Sequence, residues 1–248
     1  MKTKLSLLTL FACAAGTMLS AEAIEGYPVI IYDTSDSPIA LATSLNDVAT
    51  YINGADGDKA EIYADDTITS TITFDRDTYW QLVSDSDAVR TISGNTTLFD
   101  VSSGSMRLIL DSIVFSGAIG KVFYSSGGGN ITLGGNAEFK NNSGYVISGN
   151  SIFLENSEMT FSGNTGTYVF YGDVQIGSGS TFVFSQNKSC IYGDLTAGDN
   201  VSVSFSGNTG TGIYGNVALG NNAIFSASGN SSLVIDGTTI SFGEKSQL

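Results

Sequence analysis

The sequence predicts an all-β fold, a parallel β-helix (solenoid) with about 20–23 residues per rung and a short N-terminal capping helix. Three observations predict it. From residue 131 the chain divides into five similar units whose marker residues Phe139, Phe161, Phe184, Phe205 and Phe225 are spaced by 22, 23, 21 and 20. Each unit holds three short apolar pieces in which inward residues alternate with outward ones, the period of a strand. Gly and Asn punctuate between the pieces, as turns with positive φ require. Three strands and three turns per unit of this length match one solenoid rung. A propeller blade needs roughly forty residues or more, and helical repeats need a 3.6-residue pattern that no unit shows.

Composition bounds the function. The 248 residues hold 24 Asp+Glu against 10 Lys+Arg, a formal charge of −14, and no His. Without His, Ser-His-Asp and Cys-His catalysis are excluded, and so is the commonest zinc ligand. The acidity argues against a nucleic-acid partner, whose phosphates require clustered Lys and Arg. A hydrophobic content of 42% supplies a sizeable core.

Residues 1–23 read as an export signal: Lys2 and Lys4, an apolar run over 5–15, and the small-x-small site Ala21-Glu22-Ala23. The run is shorter than the about twenty residues of a membrane-spanning helix, and no later stretch is long enough, so no transmembrane helix is expected after signal removal. A rival reading makes Cys13 a lipidation site, against which the bulky Phe11 speaks. With the signal removed, Cys190 remains alone, which forbids an intrachain disulfide. It is expected to be a packed, inert thiol, because no basic cluster lies near it in sequence.

Residues 24–43 form a lead-in with no assigned element. Residues 44–53 place apolar side chains at 45, 48, 49 and 52, one face of a short helix, with Ser44 as N-cap and Asn53-Gly54 as stop. Such a helix can cover the open end of a solenoid, and one domain therefore runs over 44–248. Residues 60–130 contain strand-like pieces at 61–64, 68–74, 79–83, 89–92, 98–101 and 107–115, read as less uniform coils.

Residues 131–238 are the regular rungs. The first strand pairs Ile131 with Leu133, Ile152 with Leu154, Val174 with Ile176, Leu195 with Ala197, and Val217 with Leu219. The second pairs Ala137 with Phe139, Met159 with Phe161, Phe182 with Phe184, Val203 with Phe205, and Ala223 with Phe225. The third centres on Ile147, Phe170, Ile191, Ile213 and Ile235. Residues 239–248 begin a further rung, and its uncapped edge predicts self-association by strand addition.

Two columns stand out. Asn142, Asn164, Asn187 and Asn208 each follow the marker Phe by three residues; Ser228 holds that place in the fifth unit, with Asn230 two residues later. Identical residues on every rung serve stacking, and Asn also tolerates left-handed turns. Tyr171, Tyr192 and Tyr214 follow the third-strand column by one residue and should face outward, as a stiffening stack or as a binding face for a glycan or a protein.

The FxxN units Phe139-Lys140-Asn141-Asn142, Phe161-Ser162-Gly163-Asn164, Phe184-Ser185-Gln186-Asn187 and Phe205-Ser206-Gly207-Asn208 resemble the passenger repeats of the polymorphic outer membrane proteins, autotransporter-type surface proteins of Gram-negative bacteria. The resemblance covers roughly residues 110–230. It implies a right-handed β-helix, as the usual crossover rule also does, and an exported protein, extracellular or outer-membrane-associated, acting in adhesion or contact with host or cell-surface partners. The family's Gly-Gly-Ala companion motif is represented only by Ser116-Gly117-Ala118-Ile119, and its C-terminal barrel has no counterpart.

Other chemistry has weaker support in the residues. A calcium-dependent polysaccharide lyase would need clustered carboxylates; Asp65 and Asp66 lie about one rung before Asp85 and Asp87, with Arg90 and Arg107 following. Elsewhere Glu138, Glu155, Glu158, Asp173, Asp194, Asp199 and Asp236 mark no catalytic pair, and Asp173 and Asp194 read as stacked turn caps. The expectation is a non-enzymatic adhesion or recognition protein without cofactor, metal or catalytic residues, the alternatives being that lyase-like enzyme or a self-assembling structural solenoid.

Overall fold

A computed structural model describes residues 27–52, 58–85 and 88–248. The expected signal with Cys13, the Asn53-Gly54 stop and Asp87 lie outside the described residues. The chain winds into a parallel β-solenoid of about eight turns, with one short helix near the N-terminus. No helix among the described residues is long and apolar enough to cross a membrane.

The N-terminal end is closed by more than a helix. Strands β1 (Val29–Tyr32) and β2 (Pro38–Ala42) form an antiparallel hairpin, and β1 also runs antiparallel to β3 (Lys59–Ile62). The lead-in thus carries two strands that the sequence reading left unassigned. Asp33 organises their turn, its Oδ1 accepting from the backbone N–H groups of Ser35 and Ser37 at 2.9 and 3.0 Å. Between β2 and β3 lie a 3-10 turn (Leu45–Asp47) and helix α1 (Val48–Ile52). Ser44 caps the turn as expected: its backbone is extended and its side chain accepts from the Asn46 N–H. Leu45, Val48 and Ile52 are buried, and α1 lies against the strand Ile72–Phe74. The pair therefore covers one end of the apolar stack, where bare rung edges would otherwise meet water.

Beyond β3 every strand pairing among the described residues is parallel, and pairing partners lie about one rung apart in sequence. Among the described residues the strands fall into one large sheet, carrying the first two strands of each rung, and a smaller sheet carrying the third. Four of the five marker phenylalanines stack as the spacing predicts: Phe139, Phe161, Phe184 and Phe205 are register partners in turn, and Phe115 precedes them in the same column. Their ring centroids stand 4.8–5.1 Å apart with interplanar angles of 13° or less. All five are fully buried, each stabilising by about 1.5–3 kcal/mol through burial alone. The third column runs Phe99, Phe123, Ile147, Phe170, Ile191, Ile213 and closes the core from the opposite side.

Two registers differ from the sequence reading. In the second regular unit the inward pair is Ser151 and Phe153, not Ile152 and Leu154. Alternation alone allows either set, because a one-residue slip exchanges the faces of a strand. Phe153 prevails by packing 4.7 Å from Phe182 and 5.8 Å from Phe170, centroid to centroid. In the fifth unit Phe205 pairs with Ala227 and Phe225 pairs with Val203, so Phe225 belongs to the neighbouring column rather than to the marker column. Its ring nonetheless reaches to 5.3 Å from Phe205, at 33°.

That shift repairs the asparagine ladder. Asn230 follows Ala227 by three residues and continues the column, where Ser228 had marked a break. In the interior each Asn makes four bonds. Asn187 Nδ2 donates to Phe161 O (2.9 Å) and Asn208 Oδ1 (3.2 Å), while its Oδ1 accepts from Asn164 N (3.1 Å) and Nδ2 (2.8 Å). The positive φ is held one residue earlier, at Asn141, Gly163, Gln186, Gly207 and Gly229. The ladder residues are thus selected by the amide, not by left-handed backbone.

Toward the C-terminal end the strand Ile240–Phe242 adds to Val217–Leu219, and Leu233, Ile240 and Phe242 are exposed.

Candidate functional site

The site is built by one turn repeated on successive rungs. Tyr171-Gly172-Asp173 and Tyr192-Gly193-Asp194 are followed by Tyr214-Gly215-Asn216, and preceded by Ser148-Gly149-Asn150. The third strand places its first residue inward and the next outward, so the register Tyr124, Ser148, Tyr171, Tyr192, Tyr214 forms an outer column. The glycine that follows must lack a side chain. At Gly193, with φ +149, a Cβ would lie 2.4 Å from the Gly172 carbonyl oxygen of the rung before. The next residue caps the turn through its side chain. Asn150 Oδ1 accepts from Asp173 N, Asp173 Oδ1 from Asp194 N, and Asp194 Oδ1 from Asn216 N, at 3.2, 2.9 and 2.7 Å. Asp173 and Asp194 are therefore stacked caps, as the sequence suggested, and both are exposed.

The three predicted tyrosines come together on this face. Tyr171 and Tyr192 stack at 5.2 Å and 5°, and Tyr192 meets Tyr214 at 6.1 Å and 44°. Tyr171 and Tyr192 are 46% and 45% exposed, so nearly half of each side chain can be touched from outside.

Sequence reasoning missed their neighbours. Tyr145 and Tyr168 sit three residues before the outer column and lean across it: Tyr145 reaches Tyr171 at 5.5 Å, and Tyr168 reaches Tyr192 at 5.0 Å and, edge-on, Tyr214 at 5.6 Å. Lys121 occupies the same place one rung above Tyr145, and its Nζ lies 3.1 Å from the centre of the Tyr124 ring. The signal was present as an aromatic or cationic residue at fixed distance from the third strand, in Lys121, Tyr145 and Tyr168. Burial raises the pKa of the Tyr168 hydroxyl, and the neighbouring Tyr214 and Tyr192 reinforce it. It is a neutral donor at physiological pH. Lys121, Tyr124, Tyr145, Tyr171, Tyr192 and Tyr214 line a groove of about 780 Å³ along the solenoid axis, and Tyr168 packs against two of its rings.

The acidic residues proposed for calcium do not converge. The rung at Asp66 is longer than expected, since Asp66 pairs with Ile92 rather than with residues 85–87. Asp66 Oδ2 accepts from Leu45 N at 2.6 Å and from the Ser44 hydroxyl, tying the capping helix to the first coil. Asp65 accepts from Thr91 N, and Asp85 holds Arg90 through two bonds of 2.7 and 2.8 Å. Arg107 lies over the Tyr79 ring at 5.0 Å. Among the described residues no three His, Cys, Asp or Glu side chains are grouped to hold a metal ion. On another outer face Glu138 and Glu158 line a smaller groove of about 350 Å³, where Lys140 neutralises Glu138 at 3.3 Å. Cys190 is fully buried, and burial pushes its thiol pKa up, which makes the reactive thiolate scarce.

Compared with protein-family models, curated proteins and solved structures, the chain matches none of them.

Proposed function

We propose that this chain is an exported, non-enzymatic β-solenoid that recognises a partner through the tyrosine groove. One observation carries the reading: Tyr145, Tyr171, Tyr192 and Tyr214 converge from consecutive rungs on one groove, with Tyr168 packed against Tyr192 and Tyr214. Tyrosine supplies large, rigid, amphipathic contact area at low entropic cost, and hot spots of interfaces are enriched in it. A stack needed only for stiffness would bury its rings, as the phenylalanine column does. Here Tyr171 and Tyr192 stay nearly half open.

The FxxN resemblance to polymorphic outer membrane protein passengers supports display at the surface of a Gram-negative bacterium, and adhesion as the class of activity. The rival reading, calcium-dependent cleavage of an acidic polysaccharide, rests on carboxylates that are separately engaged in capping and ion pairing. The deciding experiment presents the protein and Tyr192→Ala to glycan and host-protein arrays, with and without calcium. Specific binding lost in the variant is the expected result. Binding that survives in Tyr192→Ala, or calcium-dependent cleavage of an arrayed polysaccharide, would overturn the proposal.

A further inference from the structure

Resting on the recognition reading above, we infer that the occupant of the groove is a basic, proline-rich peptide in the polyproline II conformation, lying along the solenoid axis. Three features of the groove select it.

First, the rings offer edges rather than faces. Tyr171 and Tyr192 lie parallel and 5.2 Å apart, and Tyr145 and Tyr168 cover the adjoining surfaces. A sugar ring stacks on an open aromatic face, and these faces are occupied by one another. With the facing surfaces of Tyr171 and Tyr192 taken up by each other, ring edges are left to a partner, and the phenolic O–H groups are the donors. Main-chain carbonyls with no internal hydrogen bonds, as polyproline II presents them, are the matching acceptors.

Second, the periods agree. Successive parallel rungs are about 4.8 Å apart, so two rungs advance about 9.6 Å. Three residues of polyproline II advance about 9.3 Å. The outer column carries Tyr124, Tyr171 and Tyr214 at every second rung, with Ser148 and Tyr192 between them. Four rung steps, from Tyr124 to Tyr214, span about 19 Å and match about six peptide residues. Peptide positions i, i+3 and i+6 then fall on Tyr124, Tyr171 and Tyr214 in turn. An extended β-strand, whose same-face side chains repeat at about 6.6–6.8 Å, slips out of step within two rungs.

Third, the charge is complementary and directional. Asp173 lines the groove, Asp194 follows its lining residue Gly193, and both are exposed, on a chain of net charge −14. Lys121 places the groove's cation at the opposite end, against Tyr124. The basic end of the peptide therefore lies toward Asp194.

The test is fluorescence anisotropy with a labelled peptide of nine prolines carrying two arginines at one end. Its control has the same charges with glycine in place of every proline. The proline peptide should bind at least about tenfold tighter than the glycine peptide, because its conformation is already formed. Tyr171→Ala should weaken binding by about tenfold or more. Tyr171→Phe, which keeps the stack, should weaken it less and melt like the parent. Asp173→Asn and Asp194→Asn preserve the turn cap and should flatten the salt dependence. Equal binding of the two peptides, or none at about 1 mM, overturns the inference. Glycan or folded-protein binding that Tyr192→Ala abolishes, with the proline peptide silent, would leave the recognition face standing and remove this occupant. Ligand binding unmoved by either alanine variant would remove both.

Discussion

Replacing Asn187 by Ala should remove a polar core side chain whose donors and acceptor are all engaged. The substitution deletes four hydrogen bonds, to Phe161 O, Asn208 Oδ1, Asn164 N and Asn164 Nδ2. All four partners are buried, and the position is fully enclosed between rungs, with Asn187 at 0% exposure. Each orphaned buried group costs about 1–3 kcal/mol. A water entering the vacated space can recover part of this, so about 4 kcal/mol is the expected loss. Domains of this kind are stable by only about 5–15 kcal/mol, so the effect is a large fraction of the whole. Because a solenoid holds together rung by rung, the lesion should also split urea unfolding into two steps. Asn230→Ala is the internal control: Asn230 is half-buried, water can replace its bonds, and about 1 kcal/mol is expected. Circular dichroism during urea titration reads both. Equal losses in the two variants, or a loss below about 1 kcal/mol at Asn187, would refute a ladder held by amide satisfaction.

Phe184→Asp should abolish cooperative unfolding, because it buries an unpaired charge between Phe161 and Phe205; a thermal melt like the parent's would mean that the rung assignment is wrong. Gln186→Gly should stabilise by about 1 kcal/mol, since Gln186 holds φ +55 where the neighbouring rungs carry Gly163 and Gly207; urea midpoints decide the sign. The Cys190 thiol has a raised folded-state pKa, so its contribution is complete below the unfolded value of about 8.5 and falls as pH rises beyond it. By about pH 9.5 the loss should reach roughly 1.4 kcal/mol, and Cys190→Ala should flatten stability between about pH 8.5 and 10. Tyr63, raised to about 12 by burial, enters only above about pH 10, where free tyrosine begins to ionise.

The fold was legible because solenoid stacking writes itself into sequence as a period. Phe139, Phe161, Phe184 and Phe205 needed only to be counted, and Ser44 announced its helix by its chemistry. Registers were harder. Ser-Ile-Phe-Leu over 151–154 alternates equally well on either face, and only the neighbouring aromatic pack distinguishes Phe153 from Ile152. Phe225 misled because a phenylalanine in the right composition sat two residues from the right place, and Asn230 was the truer marker. The hairpin of β1 and β2 carries no repeat, since it pairs antiparallel and occurs once. The groove was half visible: the outer tyrosines shared one register, whereas Lys121, Tyr145 and Tyr168 meet it by leaning across a turn. The acidic residues misled for the opposite reason, as a rung of irregular length carried Asp65 and Asp66 away from Asp85.

The central claim is that Tyr171 and Tyr192 are adjacent on successive rungs, with Tyr214 one rung further. Paired cysteines at these positions, with Cys13 and Cys190 replaced by alanine, measure it directly under mild oxidation. Register partners on adjacent strands fall within the about 4.4–6.8 Å Cα separation that a disulfide spans, whereas two rungs do not. The account predicts a bond in Tyr171→Cys/Tyr192→Cys and none in Tyr171→Cys/Tyr214→Cys. A bond in the second pair, or failure of the first to oxidise, would contradict the register on which the groove is built.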